Sequence, residues 1–212
     1  MTEETGLRER KKQRTRRALS ETAIELFLKR GFDQVSVADV AAAAEVSKPT
    51  LFRYFPTKED LVLHRFADHQ GESARVVRDR APGQPPLAAL RAHFHARLDA
   101  HDPITGLTGD QRVRAFIDMV YRTPGLAARV IRYGDRDQAE LADQLLAAAP
   151  EAGGLTARLA AAQIIMVHQH LAHENWGKLN AGRGMDETLT EAHADAERAY
   201  DLLDAGLGPH YP

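Results

Sequence analysis

Apolar residues recur at helical spacing along nearly the whole chain, and the breakers between them fall about one helix apart. Leu19, Ala23, Leu26 and Phe27 stand at i, i+4, i+7 and i+8, one stripe on a helix expected from about Leu7 to Arg30. Gly31 is its stop. Ser36 reads as the N-cap of a short helix through Ala44, with Asp39 completing a capping-box pattern. Ser47 caps the next short helix, and Pro49 sits in its first turn, where a missing N–H costs little. Pro56 ends that helix. Thr57 caps another, with Glu59 and Asp60 in its first turn, and the pattern predicts an unbroken run to about Arg80. After the linker-like APGQPP (81–86), helices are expected at about 87–101, 109–122, 124–149, 155–178 and 186–206, with Gly134 a candidate kink. The pattern predicts an all-α chain of about nine helices. Residues 1–57 form a three-helix unit and residues 58–212 a larger helical body.

Composition narrows the classes. The 212 residues are 43% hydrophobic and 27% charged, as in ordinary globular proteins. There is no cysteine, which excludes disulfides, thiolate metal sites and a cysteine nucleophile. No apolar run approaches the ~18 residues of a membrane span, and the N-terminus lacks the apolar core of a signal peptide, so a cytoplasmic protein away from membranes is expected. The net charge of -2 hides an asymmetry. Residues 1–57 hold 11 Lys/Arg against 8 Asp/Glu, concentrated in a basic arm (residues 1–17) containing RERKKQRTRR (8–17), while the remainder carries 17 against 22. A basic head on an acidic body suggests an anionic partner for the head.

The stretch SVADVAAAAEVSKPTLFRYF (36–55) places two very short helices back to back. Val37, Val40 and Ala41 on the first, and Val46, Leu51 and Phe55 around the second, can bury against Leu26, Phe27 and Phe32. Ser47, Lys48, Thr50, Arg53 and Tyr54 then remain exposed. This is the physical description of a helix-turn-helix, whose second helix fits the major groove of DNA.

The segment ALSETAIELFLKRGFDQVSVADVAAAAEVSKPTLFRYFPTKEDLV (18–62) resembles the DNA-binding domain of the tetracycline-repressor (TetR) family of bacterial transcription regulators. The resemblance rests on the Phe27/Gly31/Phe32 corner, the Ser36-to-Val40 start, the Val46-to-Phe55 helix and the Lys58-Glu59-Asp60-Leu61 exit. It implies that Ser36 and Val37 face phosphate at the start of the second helix. Lys48, Pro49 and Thr50 face the groove, and Tyr54 and Lys58 contact phosphates. At position 52 the family usually has Tyr. Phe52 donates no hydrogen bond, and is left with apolar contact to a thymine methyl or sugar, or with packing.

The same resemblance implies a homodimer on a near-palindromic operator in double-stranded DNA, released by a small-molecule effector held in the body. The last two long helices carry the candidate dimer surface. It comprises Leu159, Gln163, Val167 and Leu171 from an all-round apolar helix, and Ala192, Ala196, Tyr200 and Leu203 from a 3–4 spaced seam. Phe94, Phe116, Met119, Val120, Tyr121, Tyr133 and Met166 are candidates to line a largely apolar effector pocket. No cofactor is implied. HQHLAHE (168–174) sets His170 and Glu174 at i, i+4, but no HExxH or cysteine pattern accompanies them, and no metal is expected. A helical enzyme or an adaptor with a structural helix-turn-helix is the alternative. No phosphate loop, GxSxG elbow or paired-carboxylate motif supports the former.

Overall fold

The computed structural model describes residues 2–211, apart from the side chains of residues 2–9, 66–68 and 131–133. The described residues are all-helical, in ten α-helices: α1 (Thr2–Arg30), α2 (Val37–Ala43), α3 (Lys48–Tyr54), α4 (Lys58–Leu63), α5 (Glu72–Arg78), α6 (Pro86–Asp99), α7 (Gln111–Arg122), α8 (Pro124–Ala148), α9 (Gly153–Asn180) and α10 (Met185–Leu207). The basic arm is not a separate extended strand. Its backbone continues α1 back to Thr2, although Arg8 lies outside the described side chains.

Ten helices replace the expected nine because the run predicted from Thr57 to Arg80 is broken. After α4 the chain tightens into a 3₁₀ segment, His64–His69, and then turns at Gly71 with φ of +70°. That left-handed backbone suits glycine. The Gly71 N–H leaves the helical ladder and donates to the Asp137 carboxylate at 2.8 Å. The helix α8 runs through Gly134 without a break. Gly134 allows α9 to approach: a Cβ there would stand 2.8 Å from the Gln169 amide nitrogen.

Packing divides the chain into two units at places other than 57/58. The first holds residues 1–68 and 115–131. Its core joins Leu19, Ala23 and Phe27 of α1 to Phe32, Val35, Val40, Leu51 and Phe55. Leu61 and Val62 of α4, Val120 of α7 and Leu126 of α8 complete it. The helix that follows the helix-turn-helix therefore belongs to it by burial. Ser20 also donates to the Leu61 carbonyl at 2.6 Å.

The second unit holds residues 69–114 and 132–212. There α10 packs against α6 and α9. Ala192, Ala196, Tyr200 and Leu203, expected at a dimer surface, are buried in this core together with Leu171, and Val167 packs partly buried against it. The 3–4 seam of α10 thus faces its own chain. Tyr200 is fully buried and shares a 2.7 Å hydrogen bond with His168 Nε2, whose ring stacks on Phe94 with centroids 5.1 Å apart.

Burial pushes the His168 imidazole down to about 4 from its ordinary 6.5. The folded state resists a proton that the unfolded chain accepts. This group's contribution is therefore complete above pH 6.5 and is lost as pH falls toward 4, by up to about 1.4 kcal/mol per pH unit. His69 acts in the opposite sense, because its hydrogen bond to Glu72 raises its pKa. A His168→Gln variant separates the two. Urea midpoints measured between pH 7 and 4 should fall more steeply for the parent than for the variant, and parallel curves would exclude the buried neutral histidine.

Candidate nucleic-acid interface

Three side-chain caps set the short helices. Ser36 and Asp39 form the expected capping box: Ser36 N–H donates to Asp39 Oδ2 at 2.8 Å, and Asp39 N–H donates to Ser36 Oγ at 3.1 Å. Ser47 Oγ accepts from Thr50 N–H at 3.2 Å. Thr57 and Asp60 repeat the box at α4. Between α2 and α3 the chain reverses at Glu45, in the left-handed region with φ of 54°. Val46 N–H then donates to the Ala41 carbonyl at 3.0 Å, closing the turn.

These constraints fix which side of α3 is free. Leu51 and the C-cap Phe55 are buried, while Ser47, Lys48, Pro49, Phe52 and Arg53 are exposed. Phe52 is 40% exposed and stands outside the core, which removes the packing role left open for it. The Lys48 ammonium lies 5.9 Å from the centre of its ring. Arg53 similarly approaches the ring of the half-buried Tyr54, at 5.6 Å. The exposed face therefore presents cations beside aromatic surface. Thr50 is half-buried, and its hydroxyl is 2.7 Å from Ser47 Oγ.

Two expected phosphate contacts have other partners. Ser36 gives both its N–H and its hydroxyl to Asp39, the latter at 2.6 Å. Those Ser36 hydrogen bonds, helped by Arg30 at 3.7 Å, hold the Asp39 carboxyl below its usual range, so a negative charge stands where Ser36 and the half-buried Val37 begin α2. Lys58 is half-buried. Its ammonium donates to the Phe32 carbonyl at 2.6 Å and the Val35 carbonyl at 2.9 Å, and lies 4.1 Å from the centre of the Phe32 ring. It clamps the α1–α2 connection.

One residue missed in the sequence is Arg129 of α8. It donates to Thr57 Oγ1 at 2.7 Å and Asp60 Oδ1 at 2.9 Å, tying α8 to the capped start of α4. No local pattern marks it, because its partners lie 72 and 69 positions away. Arg16 of α1 was read only as part of the basic arm. Its guanidinium lies 5.1 Å from the centre of the Phe55 ring.

The candidate effector residues do not gather in one unit. Phe116, Met119 and Val120 belong to the first unit's core, and Tyr121 is half-buried, with burial pushing its hydroxyl pKa up. Phe94 lies in the second unit's core. Met166 is exposed, and the Tyr133 side chain lies outside the described residues. The second unit also carries a polar node that the sequence did not reveal. The Glu72 carboxylate meets His69 Nδ1 at 2.9 Å, His93 Nε2 at 2.7 Å and Arg97, and Arg97 reaches Asp102 at 2.8 Å. Burial opposes the charge, yet these hydrogen bonds hold Glu72 well below the carboxylate range.

Residues 19–64 match the family model described as bacterial regulatory proteins, tetR family. This segment is a TetR-family DNA-binding region. Members bind DNA operators and small-molecule effectors, typically as dimers, and the curated relatives are transcription regulators rather than enzymes. The chain is 34% identical over 139 residues to the HTH-type transcriptional regulator TcmR of Streptomyces glaucescens, covering 65% of this chain and 61% of TcmR. It thus spans somewhat under two thirds of that relative. The fold is shared with NalD of Pseudomonas aeruginosa, the secondary repressor of the MexAB-OprM multidrug efflux pump, at a TM-score of 0.57 and 21% identity over 92% of this chain and 96% of NalD. It is also shared with the transcriptional regulator FadR of Bacillus subtilis, solved in complex with stearoyl-CoA, at a TM-score of 0.54 and 18% identity over 89% and 97%. No helix among the described residues is long and apolar enough to cross a membrane.

The Lys58 clamp is testable. Lys58→Met removes two hydrogen bonds from a charged donor and should lower unfolding stability by about 1–3 kcal/mol in urea titration. An unchanged midpoint would assign Lys58 to the surface alone.

Proposed function

We propose that this protein is a dimeric transcription repressor of the TetR family that grips a near-palindromic operator with α3 and releases it when a small molecule binds the body. The exposed face of α3 carries the reading. Lys48, Pro49, Phe52 and Arg53 stand clear of a core that fixes Leu51 and Phe55. One α-helix fits the major groove. Lys48 and Arg53 supply cations to base edges or phosphates, Phe52 and Pro49 offer apolar contact to thymine methyls, and Ser47 and Thr50 line the start of the helix. Tyr54 and Lys58 flank it, together with the N-terminal turns of α2 at Ser36 and Val37. The basic residues of α1 add attraction toward the DNA backbone.

The effector reading rests on the family. The body, residues 58–212, is proposed to hold a largely apolar small molecule, as FadR of the same fold holds stearoyl-CoA. Release follows from population shift: the effector lowers operator affinity by the ratio of its affinities for the free and bound conformations. A cytoplasmic location accords with this role.

The dimer surface is proposed on α9 rather than on the α10 seam. Leu155, Leu159 and Met166 are 64%, 54% and 54% exposed and lie along one face of α9, with Gln163 beside them; Leu202 of α10 is 73% exposed. Apolar side chains this open on long helices suit burial against a second copy. Two such copies would set their α3 helices one DNA turn apart, about 34–36 Å.

Two experiments test these assignments. In fluorescence anisotropy with duplex DNA, affinity should fall steeply with salt, and Lys48→Ala and Arg53→Ala should each lower the slope of log K against log salt by about one. Slopes equal to the parent's would remove both residues from the interface. In sedimentation, Leu159→Glu should yield a folded monomer, whereas Ala196→Glu should unfold the chain. A dimer that survives Leu159→Glu would contradict the α9 surface.

A further inference from the structure

We propose that the crossing of α6 and α10 is a binding site for a divalent transition ion of the imidazole-seeking kind, such as zinc, nickel or copper. The two helices run antiparallel there, since Arg91 meets Glu197 and Asp201, His95 meets Glu197 and His193, and Asp99 meets His193. Each helix contributes a histidine and, four residues on, a carboxylate: His95 and Asp99 from α6, His193 and Glu197 from α10. Residues four apart share one face of a helix, so each helix turns its histidine and its carboxylate toward the other.

The arrangement of the ring nitrogens carries the inference. The two imidazoles are nearly parallel, at 3°, with centroids 4.9 Å apart, and their Nδ1 atoms face each other at 2.6 Å. The outer nitrogens both look toward carboxylates. His193 Nε2 is 2.9 Å from Asp99 Oδ1, and His95 Nε2 is 2.6 Å from Glu197 Oε1. The second contact is too oblique for a hydrogen bond and leaves His95 Nε2 shut off from solvent without one. Metal-bound histidine characteristically turns its other ring nitrogen to a carboxylate, which fixes the tautomer and strengthens the ligating nitrogen. Here the Asp99 carboxylate holds His193 that way, Glu197 lies beside His95, and the two Nδ1 atoms face each other.

Two nitrogens at 2.6 Å are closer than two ligands of one ion. In a tetrahedron with Zn–N near 2.0–2.1 Å they stand about 3.3 Å apart. An ion takes the place of the shared proton only if both rings swing off this head-to-head axis to that separation. His95 is mostly buried and His193 only part-exposed, while Asp99 and Glu197 are largely open to solvent, so water can complete the coordination. No three His, Asp or Glu side chains converge on one point among the described residues. The protein therefore supplies two nitrogens, and the site is of modest affinity, suited to imidazole-seeking ions and not to magnesium or calcium.

Calorimetric titration of the untagged full chain with NiCl₂ and with ZnCl₂ tests this, with MgCl₂ as a control. One ion should bind per chain, with release of protons and a rise in Tm, and magnesium should give neither. His193→Ala should weaken binding at least 10-fold, and Asp99→Asn, which removes the carboxylate that holds His193 Nε2, about 10-fold. His170→Ala should leave binding unchanged, because the exposed His170–Glu174 pair offers only a single weak contact at 3.8 Å. Circular dichroism checks that each variant is folded. If His193→Ala is not, His95→Gln and Asp99→Asn carry the same reading. No binding up to about 1 mM metal, or binding undiminished in folded His193→Ala or His95→Gln, or binding lost in His170→Ala, would overturn the site.

Discussion

A helix of six or seven residues has too few internal hydrogen bonds to stand alone, and the DNA-facing unit is built from three of them. Everything else in that unit answers this constraint. Ser36, Ser47 and Thr57 cap the three N-termini, each worth about 1 kcal/mol. Phe27, Phe32, Leu51 and Phe55 give the helices a shared apolar floor. The Phe27 and Phe32 rings meet edge to face at 5.0 Å, and Lys58 locks the two carbonyls of the connection above them. The burial of Leu51 and Phe55 sets which face of α3 is exposed.

The unit is not limited to the helix-turn-helix. Val120 and Leu126 enter its core from α7 and α8, and Arg129 grips the capped start of α4. Body helices thus supply part of the structure that holds α3.

The sequence made the DNA-binding unit legible because its signals are local. Ser36 with Asp39, Ser47 with Pro49 and Thr57 with Asp60 announce helix starts within four residues, and the structure realises all three. The body was harder. The spacing of Ala192, Ala196, Tyr200 and Leu203 shows that one face is buried, but it is identical whether the cover is another helix of the chain or a second copy; here α6 and α9 provide it. At the break at Gly71 the freed N–H goes to Asp137, 66 residues on. Arg129 and the His95–His193 pair owe their roles to partners 69–98 positions away, which no local periodicity encodes. Lys58 illustrates a subtler limit. Its charge pointed to phosphate, while its surroundings engage it with carbonyls.

The central claim is that α3 reads DNA in pairs. Purified protein incubated with a pool of random duplexes, with the bound fraction recovered and sequenced, tests it most directly. The account predicts enrichment of one near-palindromic motif whose half-sites lie about one helical turn apart. Folded, helical protein that enriches no motif, or only an unrepeated half-site, would contradict it.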